Sequence, residues 1–180
     1  MDIQKDHFPG GKRPLVNALE AAQKAYMILQ CFREQGGRHV HIQHISKNPE
    51  AGYFLSGDRG TDIHDAAAHF ESEPIVYKHA PNAFVNTELL QLLKSWEIER
   101  LVICGMMTHL DVDATVRAAS DFGFQVIIAE DACATHDLQY GDTTIPADLV
   151  QKSFLAALKS YARVMKSEEI LALLAAEIVK

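Results

Sequence analysis

The sequence predicts a three-layer α/β/α sandwich whose central sheet is mostly parallel, a Rossmann-like, doubly wound arrangement. Helical and extended patterns alternate along the chain, as they do in folds built from successive βα units. Two of the extended segments, RLVICGM (100–106) and QVIIAE (125–130), are continuous apolar runs, which is typical of strands covered on both faces. A length of 180 residues suits one domain, so residues 1–180 are expected to fold as a single unit.

The first half of the chain contains one long helix and two short strands. Apolar residues recur three or four positions apart between residues 14 and 35 and predict an amphipathic helix, which Gly36 and Gly37 end. HVHIQHIS (39–46) and PIVYKH (74–79) are strand-like. The Gly-, Asp- and His-rich segment between them, residues 47–73, is long for a loop and indicates a functional covering segment or disorder.

The second half repeats the alternation. A helix is predicted at residues 88–96, with Thr87 as a cap, followed by the strand at 100–106 and a helix at 111–122. The strand at 125–130 leads to a helix at 146–161 and a brief extended piece at 164–165. A last helix is predicted at 167–179, opening on Ser-Glu-Glu.

Composition argues against several classes of partner and site. The net charge of -7 gives no support to binding nucleic acid, and no apolar run approaches the roughly 20 residues that span a bilayer. The N-terminus lacks a signal-peptide core, so a cytoplasmic protein is expected. Cys31, Cys104 and Cys133 are widely spaced and form neither a zinc motif nor a disulfide framework, which predicts three reduced thiols.

Polar groups follow three predicted strand ends, where active sites of parallel sheets lie. They are Asp2, Lys78 and the turn GMMTHLD, which leads into a helix near Asp111. A lysine would keep neighbouring carboxylates ionised, and a helix N-terminus offers N–H groups to an oxyanion. Taken singly, the same residues are typical of exposed side chains or a helix cap.

Five segments in order resemble a known family. DIQKDHFPGGK, HIQHIS, KHAPNAF, LVICGMMTHLDVDATVRAASDFGF and EDACATHDL are similar to the signature segments of the isochorismatase-like cysteine hydrolases, in the nicotinamidase/isochorismatase superfamily. The resemblance runs from residue 2 to about residue 165. Its most specific part is the Gly-x-x-Thr-x-x-[nucleophile]-Val-x-x-Thr segment around position 111.

The resemblance implies hydrolysis of a C–N bond in a small amide-like substrate, without a cofactor. It implies a catalytic triad of Asp2, Lys78 and the residue at 111, with Met107 and residue 111 giving oxyanion-hole N–H groups. A cis peptide is expected at Met106–Met107. Because domains of this family usually associate, a homodimer or homotetramer is expected. The residues expected to line the substrate pocket are His44, Phe54, His64 and Phe84.

Position 111 departs from the family pattern, since Asp stands where a nucleophilic Cys is expected. A carboxylate attacks amides far less readily than a thiolate, so thiol-dependent hydrolysis through this position is excluded. Cys133 is not expected to replace it. Three accounts stay open: a deliberate inactivating substitution, a natural member with little activity, or chemistry without a thiol. The last includes vinyl-ether hydrolysis, as in true isochorismatases, with Asp2 as the acid; a non-catalytic binding protein is a further alternative.

Two other departures concern the N-terminus and metal binding. Family members usually carry an apolar strand of about six residues before the Asp2 motif, whereas Met1 directly precedes Asp2 here. The leading part of a central strand is therefore expected to be absent and the support for Asp2 to be weaker. The Asp-x-His motif of zinc-binding amidases is also missing, and His41 and His44 are expected on opposite strand faces, so no metal is predicted.

Overall fold

Strands and helices alternate in the computed structural model, which describes residues 1–178. The strands are β1 (His41–His44), β2 (Ile75–Lys78), β3 (Arg100–Met106), β4 (Gln125–Ala134), β5 (Leu138–Tyr140), β6 (Thr143–Ile145) and β7 (Arg163–Met165). The α-helices are α1 (Ala18–Glu34), α2 (Leu89–Ser95), α3 (Asp113–Asp121), α4 (Ala147–Leu158) and α5 (Ser167–Ile178). A π-helical turn, Thr108–Val112, leads into α3.

All pairings among the central strands are parallel. β1 pairs with β2, and β4 lies between β3 and β7. The first two residues of the chain join these two groups of strands. Met1 donates to the Cys104 carbonyl and accepts from the Met106 N–H, while the Asp2 N–H donates to the Ile42 carbonyl.

Helices cover both faces of the sheet. Along β4, Ile127 and Ala129 pack with the core beneath α1 and α5, whereas Val126 and Ile128 pack with the core beneath α2, α3 and α4. A strand that is apolar at consecutive positions needs such cover on each side. The predicted α/β/α sandwich is confirmed. Within residues 1–178, no helix has the length and apolarity needed to cross a bilayer.

Most element boundaries agree with the sequence prediction, and the differences have local causes. Helix α1 begins at Ala18 and not near Pro14, because Asn17 has a left-handed backbone with φ of 57°. β4 continues four residues past the predicted end at Glu130, and the short antiparallel hairpin β5–β6 was not predicted. The predicted helix end at Val179 lies outside the described residues.

A glycine makes room for the N-terminus. Gly105 has φ of 132°, and a Cβ atom there would overlap the Met1 carbonyl oxygen. Only glycine allows this close approach of two backbones. The approach fixes Met1 against β3, and Asp2, the next residue, is fully buried.

Candidate active site

Three charged side chains meet in the interior at the carboxyl ends of the parallel strands. Lys78 Nζ lies 2.8 Å from Asp2 Oδ2 and 2.5 Å from Asp111 Oδ1. Asp2 and Lys78 are fully buried, and Asp111 is 3 % exposed. One ammonium is therefore shared by two carboxylates away from solvent, the convergence that the sequence predicts.

Each residue is positioned by the end of an element. Lys78 is the last residue of β2, and Asp2 adopts a left-handed backbone with φ of 53° between β1 and β3. β3 ends at Met106, the Met106–Met107 peptide is cis as expected, and the π-helical turn then presents Asp111. The parallel topology brings these ends to one edge of the sheet.

The ammonium of Lys78 is bonded on several sides. Besides Asp111, it donates to the Ala80 and Pro81 carbonyls at 3.1 Å each. It also forms an ion pair with Asp2 Oδ2 at 2.8 Å. The other carboxylate oxygen, Asp2 Oδ1, is buried without a hydrogen-bond partner among the described residues.

The two carboxyl groups are held in different protonation regimes. Burial, reinforced by the nearby Asp111 charge, raises the pKa of Asp2 to about 6, although Lys78 opposes this. The pKa of Asp111 is lowered, because hydrogen bonds and charge from His44 and Lys78 outweigh the opposing effect of burial. The pKa of Lys78 is raised by the two carboxylates against the effect of burial. Near neutral pH, Asp2 can therefore gain or lose a proton, while Asp111 stays ionised.

The predicted oxyanion N–H already has a partner. The Met107 N–H donates to Asp111 Oδ2 at 3.3 Å, so the carboxylate fills the position that a substrate oxygen would need. Asp111 thereby uses one oxygen for Lys78 and the other for the backbone.

His44 completes the group and bears on metal binding. Its Nδ1 lies 3.3 Å from Asp111 Oδ1 and 3.1 Å from Lys78 Nζ. Ligand atoms of Asp2, His44 and Asp111 lie within 4.8 Å of one another, close enough to share a cation. The Lys78 ammonium contacts all three, so a positive charge already stands among them and would repel a metal ion.

The Asp2 motif also anchors the covering segment, residues 47–73. Gln4 is fully buried, accepts from the His44 N–H at 2.8 Å and donates to the His44 and Thr61 carbonyls. Asp6 Oδ2 accepts from the Phe54 N–H at 2.7 Å. Gly60 permits the approach, because a Cβ atom there would overlap the Asp6 carboxylate.

Comparison with known proteins places the chain in a family. The isochorismatase domain family matches residues 1–169. The chain belongs to the isochorismatase family. It is 42 % identical over 172 residues to the isochorismatase family protein YddQ of Bacillus subtilis (strain 168), covering 95 % of this chain and 96 % of YddQ. A crystal structure of an isochorismatase-type protein from Oleispira antarctica superposes with a TM-score of 0.91 at 42 % identity, covering 95 % of this chain and 92 % of that one.

Two more distant relatives have enzymatic names. Streptothricin hydrolase of Streptomyces noursei is 25 % identical over 156 residues, which cover 85 % of this chain and 55 % of the relative. Nicotinamidase 3 of Arabidopsis thaliana is 24 % identical over 157 residues, covering 81 % and 76 %. This isochorismatase-family chain therefore has hydrolases among its relatives.

The expected pocket residues of this isochorismatase-family chain lie in three places. His44 contacts the charged cluster, and the ring of Phe54, buried in the covering segment, lies 5.8 Å from the ring of His44. His64 stacks on Phe8 at 3.6 Å between ring centroids, and Phe84 packs near Phe122 and Phe124 in the core. The first two residues are thus grouped with the cluster, whereas His64 and Phe84 have their ring contacts elsewhere.

Sequence reasoning missed a second set of residues around the cluster. His7, Tyr53 and His109 lie close enough to Asp111 and Arg13 for both charges to act on their pKa values. The Arg13 guanidinium lies 4.7 Å from the centre of the Tyr53 ring, and His7 lies 4.7 Å from Phe54 between ring centroids. Only the position of His7 inside the Asp2 motif could have drawn attention to it.

Proposed function

We propose that this chain is a hydrolase scaffold for a C–N bond in a small amide- or carbamoyl-type molecule, with its thiol-dependent reaction blocked at Asp111. The carrying observation is Lys78 Nζ at 2.8 Å from Asp2 and 2.5 Å from Asp111, all buried. The enzymatic names of the two distant relatives support the substrate class. Activity of this chain on such substrates is accordingly low or absent.

The roles follow from the geometry. A cysteine at position 111 would lie beside Asp2, which can take the thiol proton, and beside Lys78, which favours the resulting thiolate. The Met107 N–H would then be free to hold the oxyanion of the tetrahedral intermediate. With Asp111, the nucleophile is a weak, ion-paired carboxylate, and one of its oxygens uses the Met107 N–H.

The two cysteines of the central strands, Cys104 and Cys133, do not substitute for this thiol. Burial raises the pKa of Cys104 and raises that of Cys133 to about 12, so both stay protonated at neutral pH. Protonated thiols are poor nucleophiles. Thiol chemistry therefore needs a change at position 111.

The test is to install the thiol. Asp111→Cys is assayed on a panel of small amides, imides and ureides, with Asp111→Ser and the double variant Asp111→Cys/Lys78→Met as matched controls. Among these variants, we expect turnover only in Asp111→Cys. The pH dependence of its iodoacetamide labelling should give a thiol pKa well below that of an ordinary cysteine. A reactive, low-pKa thiol without turnover on any panel member would overturn the hydrolase proposal and support a non-catalytic binding protein.

A second candidate reaction is favoured by the pKa of Asp2, which lies at about 6. A carboxylic acid that is half protonated near pH 6 can protonate the terminal carbon of a vinyl ether. Water then adds to the oxocarbenium ion, and the C–O bond breaks to give a carbonyl compound and an alcohol. We expect the unchanged chain to hydrolyse a simple enol ether faster at pH 5 than at pH 7.5, and Asp2→Asn to abolish the reaction. Equal rates in both chains would exclude this route.

A further inference from the structure

His7 has a buried nitrogen that the proposed chemistry does not use. The side chain is fully buried, and its Nδ1 lies 3.1 Å from the Arg13 carbonyl oxygen. A carbonyl oxygen only accepts hydrogen bonds, so Nδ1 carries the proton. Burial lowers the pKa of His7 to about 4, so the ring is neutral at pH 7. Nε2 then presents a lone pair and has no hydrogen-bond partner among the described residues.

The unpaired nitrogen belongs to the same region as the charged cluster. The Phe54 ring lies 4.7 Å from the His7 ring and 5.8 Å from the His44 ring, and His44 contacts Asp111 and Lys78. The Asp111 charge also acts on the pKa of His7. The His7 ring therefore lies in surroundings shared with the candidate site.

His7 and Asp2 both carry a buried acceptor without a partner. Four buried side-chain atoms lack a hydrogen-bond partner in the described part of the chain, and they include His7 Nε2 and Asp2 Oδ1, as well as Asp2 Oδ2, which is ion-paired with Lys78 at 2.8 Å. With the proton on Nδ1, Nε2 can only accept a hydrogen bond, and a buried acceptor without a partner costs free energy. A ligand that pairs with His7 Nε2 has to bring a hydrogen-bond donor.

We propose that His7 is a specificity-determining residue, accepting through Nε2 a hydrogen bond from an N–H group of the ligand. This inference rests on the proposed function, because it places the ligand at the Lys78 cluster. It selects small amides and ureides that keep an N–H over their fully N-alkylated counterparts. The selectivity operates in binding and does not depend on turnover.

The test compares two probes that share a carbonyl group. Acetamide has N–H donors and N,N-dimethylacetamide has none; each is titrated into the full chain labelled with ¹⁵N-histidine. We expect acetamide alone to shift the His7 Nε2 resonance toward that of a hydrogen-bonded nitrogen. No shift at the highest acetamide concentration would overturn the proposal. A free-state resonance already typical of a hydrogen-bonded nitrogen would also overturn it, because it would assign a trapped water to Nε2.

Two variants separate recognition from folding. His7→Phe keeps an aromatic ring and removes the acceptor, while His64→Phe changes a histidine stacked on Phe8. We expect His7→Phe to weaken acetamide binding about 3- to 10-fold, the range of one neutral hydrogen bond, with dimethylacetamide binding unchanged. His64→Phe should leave both unchanged. Equal losses for both probes would indicate a packing role and refute selection by N–H.

The outcomes are distinguishable from those of the proposed function. If Asp111→Cys shows no turnover while acetamide still shifts His7, the hydrolase proposal fails and His7 recognition stands. If Asp111→Cys turns over amides while His7 is silent to acetamide, only the role of His7 fails. If His7→Phe does not fold, the resonance of the unchanged chain decides alone.

Discussion

The carbonyl oxygen of Met1 lies against the α-carbon of Gly105, in the space that any side chain at position 105 would need. This contact fixes the backbone that carries Asp2, since Met1 also accepts from the Met106 N–H at 3.1 Å. Placement of a charged residue of the candidate site thus depends on a glycine in a neighbouring strand.

Gly105→Ala is expected to destabilise the fold by about 3 kcal/mol or more, because backbone overlap adds to the strain of positive φ. Gly123→Ala is the matched control. Gly123 also has positive φ, 90°, but nothing lies within 4 Å of its Cβ position, so about 1 kcal/mol is expected. Urea unfolding measures both variants. Equal losses would show that Met1 moves aside without cost.

Lys78→Met should cost about 3–5 kcal/mol at pH 7, because it leaves two buried carboxylates without their shared cation. The loss should shrink at pH 5, where the carboxyl groups can take up protons. Lys152→Met removes an exposed ion pair with Asp148, in which the side chains are 74 % and 63 % exposed, and no measurable change is expected. A Lys78→Met chain as stable as its parent would contradict the buried ion-pair network.

The pKa of Asp2 predicts a specific pH dependence of stability. The folded-state pKa of about 6 lies above the reference value of 3.8, so the folded chain binds this proton more tightly than the unfolded chain. The stabilisation is complete below about pH 3.8 and is lost as pH rises through 6, by about 3 kcal/mol. Relative to Asp2→Asn, the parent chain should therefore lose stability between pH 4 and pH 7 in urea unfolding.

Asp111→Asn supplies the comparison of opposite sign. The pKa of Asp111 is lowered in the folded chain, so its contribution is present above pH 3.8 and lost as pH falls through the folded-state pKa. Relative to this variant, the parent chain should gain stability as pH rises toward 3.8 and show no further change above it. The same slope for both variants would mean that the two carboxyl groups are not differentiated.

Asp6→Ala should loosen the covering segment, because it leaves the buried Phe54 N–H without its acceptor. A loss of about 2 kcal/mol is expected, with faster amide exchange at Phe54 and faster proteolysis between residues 47 and 73. Asp62→Ala, which removes an exposed partner of Lys5, is the control. Unchanged exchange at Phe54 in Asp6→Ala would show that the segment is held by packing alone.

The sequence was most informative where one local pattern decides the structure. The apolar run predicted as a strand at 100–106 is β3, Arg100–Met106, in the structure. A continuous apolar run is enough to predict a strand that is covered on both faces. The predicted β4 ends at Glu130, because Glu130 and Asp131 interrupt the apolar run. In the structure the strand continues, and the Asp131 carboxylate accepts hydrogen bonds from Ser167 at the start of α5. The β5–β6 hairpin could have been predicted from Gly141-Asp142, because a Gly-containing turn between short extended pieces is typical of a hairpin.

The site was predictable only in part, for a physical reason. Asp2, Lys78 and Asp111 follow strand ends, and parallel strands bring such ends together. The contacts of His7, Gln4 and Asp6 depend on how residues 47–73 fold back over the sheet, and sequence spacing does not carry that information. His64 and Phe84 were expected in the pocket from their places in the covering loop and in the PNAF segment, and their ring contacts in the structure are with Phe8 and Phe122.

Asp2, Gln4 and Asp6 project from five consecutive residues, and this proximity couples two events. The first bears the exchangeable proton of the cluster, while the other two tether the polypeptide that shields it from water. A change in the backbone of residues 2–6 would therefore act at the same time on the acidic carboxyl of the cluster and on the anchoring of residues 47–73.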